Sequence, residues 1–203
     1  MYWHKTPLYI QWLYPQLTWH KSRKEKTIYV TFDDGPIPEV TPQVLSVLET
    51  YNAKATFFCV GDNVRKYPNL YREILERGHN TGNHTYDHLN GWENSSQKYL
   101  DSIEKCKDFV PEATFFRPAY GKIKRNVIRS IKNSYEIIMW DVLAGDFDTK
   151  LKKEACLKKS IQATEKGSII IFHDSIKAQK NMLYTLPRYL EHFKNKGFNF
   201  KAL

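Results

Sequence analysis

Short apolar runs rich in β-branched and aromatic side chains recur along this chain from Thr27 onward, and segments of helical periodicity lie between them. Strands are expected over Thr27–Phe32, Ala55–Val60, Asn80–His84, Thr114–Arg117, Glu136–Val142, Ser168–His173 and Phe198–Lys201. Helices are expected over Pro42–Tyr51, Val64–Arg77, Ser96–Phe109, Asn126–Lys132, Lys152–Glu165 and Leu183–Lys196. Pro42 and Ser96 suit helix starts, while Gly78 and Gly197 suit stops. Strands that alternate with helices pair in parallel through right-handed crossovers. Seven such units predict a single α/β domain, closed or nearly closed into a barrel rather than an open sheet. In barrels of this kind chemistry collects at the C-terminal strand ends.

The segment before the first strand reads differently. Met1 to Arg23 carries Trp3, Tyr9, Trp12, Tyr14 and Trp19, interrupted by Pro7 and Pro15. It has no continuous apolar stretch and no small-residue cleavage site, so it does not read as a signal peptide. It is also too broken to span a bilayer as a transmembrane helix. Residues 1–26 are therefore expected to form an aromatic-rich extension over one end of the core, in preference to an interfacial anchor, with the barrel at 27–203. Nothing in the sequence shows a compartment.

Composition narrows the classes. A chain of 203 residues with 41% hydrophobic residues can bury a real core, which excludes disorder. Three distant cysteines, Cys59, Cys106 and Cys156, show neither zinc-ligand spacing nor a disulfide framework. The net charge of +9 is spread over lysines along most of the chain, with no nucleic-acid-binding motif beside them. Specific nucleic-acid binding is not expected; such a surface attracts anionic polymers in general.

The candidate chemistry sits where the strands end. Thr31-Phe32-Asp33-Asp34-Gly35-Pro36 places two adjacent carboxylates at a strand terminus, a costly arrangement unless each has a partner. An isolated Asp-Asp-Gly-Pro is equally a solvated turn with Asx hydrogen bonds. Asn83-His84-Thr85-Tyr86-Asp87-His88 follows the third strand, and a helical turn after His84 would set both imidazoles on one face. With one carboxylate of the Asp33-Asp34 pair they would make a two-histidine, one-carboxylate set, the pattern of a catalytic metal with open positions. His79 precedes a strand and reads as structural, and His4, His20 and His192 have undistinguished settings. Arg117, leaving an apolar strand in Phe116-Arg117-Pro118-Ala119-Tyr120-Gly121, needs an anionic partner, and the turn after it can aim backbone N–H groups at an oxygen. His173 closes the apolar run Ile169-Ile170-Ile171-Phe172, and an Asp bonded to it would raise its pKa and suit it to acid catalysis.

Taken in order, Thr31 to Pro36, His84 to His88, Arg117 to Tyr120, Asp146-Phe147 and Ile171-Phe172-His173 resemble the five motifs of NodB-type polysaccharide deacetylases, carbohydrate esterase family 4. The resemblance runs from about Thr27 to Leu203 and implies a distorted seven-stranded (β/α) barrel. It implies metal-dependent removal of N-acetyl, or O-acetyl, groups from a polysaccharide, with N-acetylglucosamine units of peptidoglycan or chitin-like oligomers the first candidates. Asp34, His84 and His88 would hold a divalent ion, zinc before cobalt, nickel or manganese. Asp33 would be the general base, oriented by Arg117; the Tyr120 N–H would face the oxyanion; His173 would protonate the leaving amine, tuned by Asp146. Phe147 and Ile171 would shape the acetyl pocket, and both depart from the family's usual Trp and Leu. Asp141 and Asp148 compete with Asp146 for the tuning role, which the following aromatic favours for Asp146. A monomer acting on an acetylated glycan is expected; the alternative is a non-catalytic sugar-binding protein on the same barrel.

Overall fold

The computed structural model describes residues 2–203 and realises the expected strand–helix alternation. In chain order the elements are α1 (Leu8–Leu13), β1 (Thr27–Asp33), α2 (Thr41–Thr50), β2 (Thr56–Cys59), α3 (Gly61–Lys66), α4 (Pro68–Glu76), β3 (Asn80–Asn83) and α5 (Ser96–Lys107). They continue with β4 (Phe115–Phe116), α6 (Arg125–Ile131), β5 (Glu136–Ile137), β6 (Val142–Leu143), α7 (Lys153–Ala163), β7 (Ile169–His173), α8 (Gln179–Asn195) and β8 (Asn199–Lys201). The sheet runs β5-β4-β3-β2-β1-β7-β6, all pairs parallel, with β8 on the lower half of β1.

β1 is central because nearly every position in it is buried, as a parallel strand covered on both faces requires. Phe32 stacks on Phe57 of β2 (4.9 Å between ring centres) and on Phe172 of β7 (6.0 Å). Its register sets Asp33 beside His173 on β7. Parallel pairing then brings the C-terminal ends of all strands to one rim.

The expected strand Glu136–Val142 is divided, and its two halves form the two edges of a curled half-barrel. β5 pairs with β4 at one edge and β6 with β7 at the other, although only residues 138–141 separate them. The Ile138 N–H still bonds the Phe116 carbonyl (2.9 Å), whereas the Asp141 N–H has reached Ile169 (3.3 Å). One apolar run thus serves both edges, which is why periodicity alone reads it as a single strand. Between the halves the Met139 N–H bonds Thr18 (2.7 Å), and the Thr18 N–H bonds Ile137 (2.9 Å). Leu17 and Trp19 are buried beside this seam with Ile137 and Met139.

Two helix boundaries differ from expectation. The stretch Val64–Arg77 breaks at Tyr67, whose backbone (φ −128°, ψ 56°) is pushed out of the helical region by Pro68. The last helix starts earlier, at Gln179, and carries Pro187 within it. The short helix α1 in the N-terminal segment has no counterpart among the expected elements. All three cysteines are buried and unpaired, as their spacing suggested.

Asp141 fastens the N-terminal segment to the barrel. It is fully buried, accepts the Ile169 N–H (2.9 Å) and the Ser168 hydroxyl (3.0 Å), and pairs with Lys5 (2.9 Å) and Arg23 (2.8 Å). Replacing it leaves a buried N–H without an acceptor and two cations without their partner. Asp141→Ala should lose about 3 kcal/mol of stability, a drop of roughly 6–12 °C in melting temperature for a chain of this size. A thermal melt within about 2 °C of wild type would contradict this role.

Candidate active site

The Asp33-Asp34 pair sits where β1 ends, and its two carboxylates have separate partners. Asp33 is almost fully buried and takes Arg117 Nη1 at 2.7 Å on Oδ1. Arg117 is wholly buried, and each of its three guanidinium nitrogens is bonded: Nη1 also reaches Thr31 Oγ1 (2.7 Å), Nε the Ile138 carbonyl (3.2 Å) and Nη2 the Met139 carbonyl (3.1 Å). Its guanidinium lies 4.0 Å from the centre of the Phe58 ring. Burial alone draws the Arg117 pKa down, while the Asp33 charge pulls it back up.

Asp34 turns the other way. Its φ of +85° is in the left-handed region, and its carbonyl accepts from the Asn63 amide (2.8 Å). Oδ1 lies 3.1 Å from His88 Nε2 and 3.9 Å from His84 Nε2. Burial opposes the Asp34 charge, but the bond to His88 and the fields of His173, His88 and His84 hold its carboxyl well below the usual range. The glycine that follows has no room for a side chain, because a Cβ on Gly35 would collide with the Asp174 carboxylate.

His84 and His88 do not share a helix face. The chain after His84 is a loop with Thr85 at φ +67° and His88 at φ +53°. Side-chain bonds replace the helical ones: Asn83 Oδ1 accepts the Thr85 N–H (2.9 Å), and Thr85 Oγ1 accepts the Leu89 N–H (3.2 Å). The expected spacing therefore works by another route, with ring centres 5.1 Å apart.

The donor set fits a divalent ion. Asp34, His84 and His88 offer ligand atoms that all lie within 4.8 Å of one another. His84 donates from Nδ1 to the Arg117 carbonyl (2.7 Å), which leaves the Nε2 lone pair facing the cavity. Burial pushes the His84 pKa down to about 4, so the ring is neutral and able to ligate near pH 7. His88 Nδ1 lies 3.2 Å from the Tyr120 hydroxyl. Donors held tetrahedrally at zinc-like bond lengths stand roughly 3.3 Å apart; Asp34 Oδ1 stands 3.1 Å from His88 Nε2 and 3.9 Å from His84 Nε2.

On the other flank, His173 Nδ1 meets Asp146 Oδ1 at 2.8 Å, and the His173 N–H donates to Asp146 Oδ2, also at 2.8 Å. Burial lowers the pKa of this imidazole, but the Asp146 charge and hydrogen bond, with Asp34 and Asp33 nearby, carry it up to about 9. Of the three acidic candidates, Asp146 alone bonds His173. Asp141 anchors the N-terminal segment, and Asp148 takes the Tyr2 hydroxyl (3.1 Å) and the Lys150 N–H (3.0 Å).

Asp33, Asp34, His84, His88 and His173 line one cavity of about 490 Å³, with Tyr120, Phe147 and Ile171 in its wall. Tyr120 is exposed and has φ +59°; the turn's own bonds run from Gly121 to Pro118 and from Lys122 to Ala119, leaving the Tyr120 amide outside them. Phe147 packs edge-on to His173 (5.1 Å). His79 stands apart, its Nδ1 accepting the Ala55 N–H (3.3 Å) against Phe57, a structural role as read from sequence.

Several lining residues escaped sequence reasoning. Trp140 and Leu143 belong to the strand that changes edges, and Tyr2 reaches in from the N-terminal segment to pack on Phe147 (5.2 Å). Asp174 is buried beneath the turn, accepting the Gly35 N–H (3.0 Å) and the Thr41 hydroxyl (2.6 Å); burial pushes it up to about 8. Its adjacency to His173 was the one available signal. Tyr2 offered none.

Comparison with known proteins shows the family. Residues 20–137 match the family described as Polysaccharide deacetylase. A peptidoglycan-N-acetylglucosamine deacetylase of Bacillus cereus is 34% identical over 190 residues, 91% of this chain and 89% of the relative. A chitooligosaccharide deacetylase of Azorhizobium caulinodans is 32% identical over 160 residues, 75% of this chain and 76% of the relative. Among solved structures, the Bc1960 peptidoglycan N-acetylglucosamine deacetylase superposes with a TM-score of 0.89 at 29% identity, covering 98% of this chain and 95% of that one. The chain therefore belongs to the polysaccharide deacetylase family, the NodB-type deacetylases of carbohydrate esterase family 4.

Proposed function

We propose that this polysaccharide deacetylase hydrolyses the N-acetyl group of N-acetylglucosamine units in peptidoglycan, with zinc held by Asp34, His84 and His88. The observation that carries the reading is the convergence, on one cavity, of two ion pairs on adjacent strands beside the ligand triad. Asp33 with Arg117 and His173 with Asp146 stand side by side in the β1–β7 register. Peptidoglycan is favoured because the Bacillus cereus relative and the Bc1960 structure carry that activity in their names. When bound, the ion supplies Lewis acidity toward the acetyl carbonyl and lowers the pKa of water at the site.

The chain's own groups divide the remaining work. Arg117 occupies Oδ1 of Asp33 and leaves Oδ2 toward the cavity, where it accepts the proton of the attacking water. The Tyr120 amide, free of its own turn, donates to the carbonyl oxygen as negative charge grows there. His173 is protonated near neutral pH and gives its proton to the departing amine, a poor leaving group without it. Asp146 fixes the tautomer and charge of that imidazole. Phe147 and Ile171 border the space for the acetyl methyl. One chain supplies every group, so a monomer suffices. A non-catalytic sugar binder would need neither ion pair.

Three outcomes test these assignments. Asp34→Ala should lose zinc on dialysis, read by elemental analysis; unchanged metal content would remove Asp34 from the ligand set. His173→Ala should keep its metal and lose about 10²–10⁴-fold in kcat for acetate release from peptidoglycan. Turnover near wild type would overturn its role as the acid. In Asp146→Asn, the alkaline limb of the pH–rate profile should move roughly one to three units lower, because a neutral partner no longer holds the imidazole proton. An unmoved limb would detach Asp146 from His173.

A further inference from the structure

A second cavity of about 440 Å³ adjoins the first and is lined by Lys150, Lys152, Lys153, Lys177 and Lys180. Lys177 borders both cavities, and the turn that carries Phe147 in one wall continues directly into Thr149 and Lys150 in the other. The only acidic residue in its lining is Glu154, which lies at 4.0 Å from Lys153 and is mostly exposed. Lys150, Lys152, Lys177 and Lys180 form no ion pair among the described residues. The nearby Asp148 carboxylate accepts the Tyr2 hydroxyl and the Lys150 N–H; the Lys150 charge acts on it, but no lysine of the groove stands within salt-bridge distance of it.

The local fold adds to the positive field instead of offsetting it. Lys152 is the N-cap of α7 and Lys153 its first residue; Lys180 lies in the first turn of α8, and Lys177 just before it. Lysine at a helix N-terminus opposes the helix dipole, and neither helix has a side-chain cap there. Such placement disfavours the fold on its own. It is productive when an anion is drawn into the groove, because like-signed walls focus their potential on the space between them.

We infer that this lysine groove is a subsite for the carboxylates of stem peptides, carried by the glycan next to the sugar being deacetylated. The inference rests on the peptidoglycan reading above and sharpens it, since a neutral chitin-like oligomer has nothing for the groove to bind. Lysine suits this task as a mobile point charge, tolerant of carboxylates in several positions. The contribution is electrostatic, so it weakens as salt rises.

The test compares wild type with K150Q/K152Q/K180Q and with a control, K194Q/K196Q/K201Q, that removes equal charge near the start of β1. Retention in sedimentation is measured on chitin and on peptidoglycan freed of attached phosphate polymers, at low and high salt, alongside acetate release. At low salt the groove variant should be retained about tenfold less on peptidoglycan and raise KM there about tenfold, with kcat kept. On chitin and chitooligosaccharides it should stay within about twofold of wild type, as should the control on both polymers. Equal losses on both polymers, losses shared by the control, or no loss at all would overturn the subsite. If wild type released no acetate from either polymer while the groove variant still lost retention on peptidoglycan, the subsite would stand and the deacetylation reading would fall.

Discussion

Arg117 leaves β4 and forms a buried ion pair with Asp33 at the end of β1. On the way its guanidinium bonds Thr31, Ile138 and Met139, so a single side chain ties the central strand, one edge and the seam together. Burying both charges costs desolvation that their attraction does not reliably return. What the arrangement secures is position: Asp33 has one oxygen committed and the other aimed at the cavity. Lysine could not substitute, because a compact ammonium lacks the fork that satisfies four acceptors at once.

Around that pair the site sorts its charges by environment. Asp33 and Asp34 are neighbours in sequence but face a guanidinium and two imidazoles respectively, so each of the adjacent carboxylates has its own partner. The imidazoles are sorted too. His84, whose Nδ1 bonds a neutral carbonyl, is neutral and free to ligate, whereas His173, against Asp146, is held protonated. Left-handed backbone at Asp34, Thr85, His88 and Tyr120 brings these groups together from loops that regular structure could not shape.

The sequence made the barrel legible because strand and helix periodicities alternate cleanly after Thr27, and the site legible because its residues fall at strand ends. Three features were hidden for physical reasons. A run that serves two sheet edges has the same apolar pattern as one continuous strand, so the split at residues 138–141 could not be seen. The His84–His88 spacing fits a helix turn, and only the competing bonds from Asn83 and Thr85 decide for a loop. Tyr2, Lys5 and Arg23 act through partners more than a hundred residues away, at Asp141 and Asp148, which no local pattern encodes. Among Asp141, Asp146 and Asp148, the aromatic neighbour pointed to the residue that bonds His173, while the structure gives the other two distinct partners.

In the mechanism proposed above, deacetylation runs through an ion held by Asp34, His84 and His88. The most direct measurement is acetate release from peptidoglycan by protein stripped of metal and then titrated with zinc, with bound zinc counted in parallel. Stripping should abolish release, and one zinc per chain should restore it. Full activity in the stripped protein, or no zinc bound at all, would contradict it.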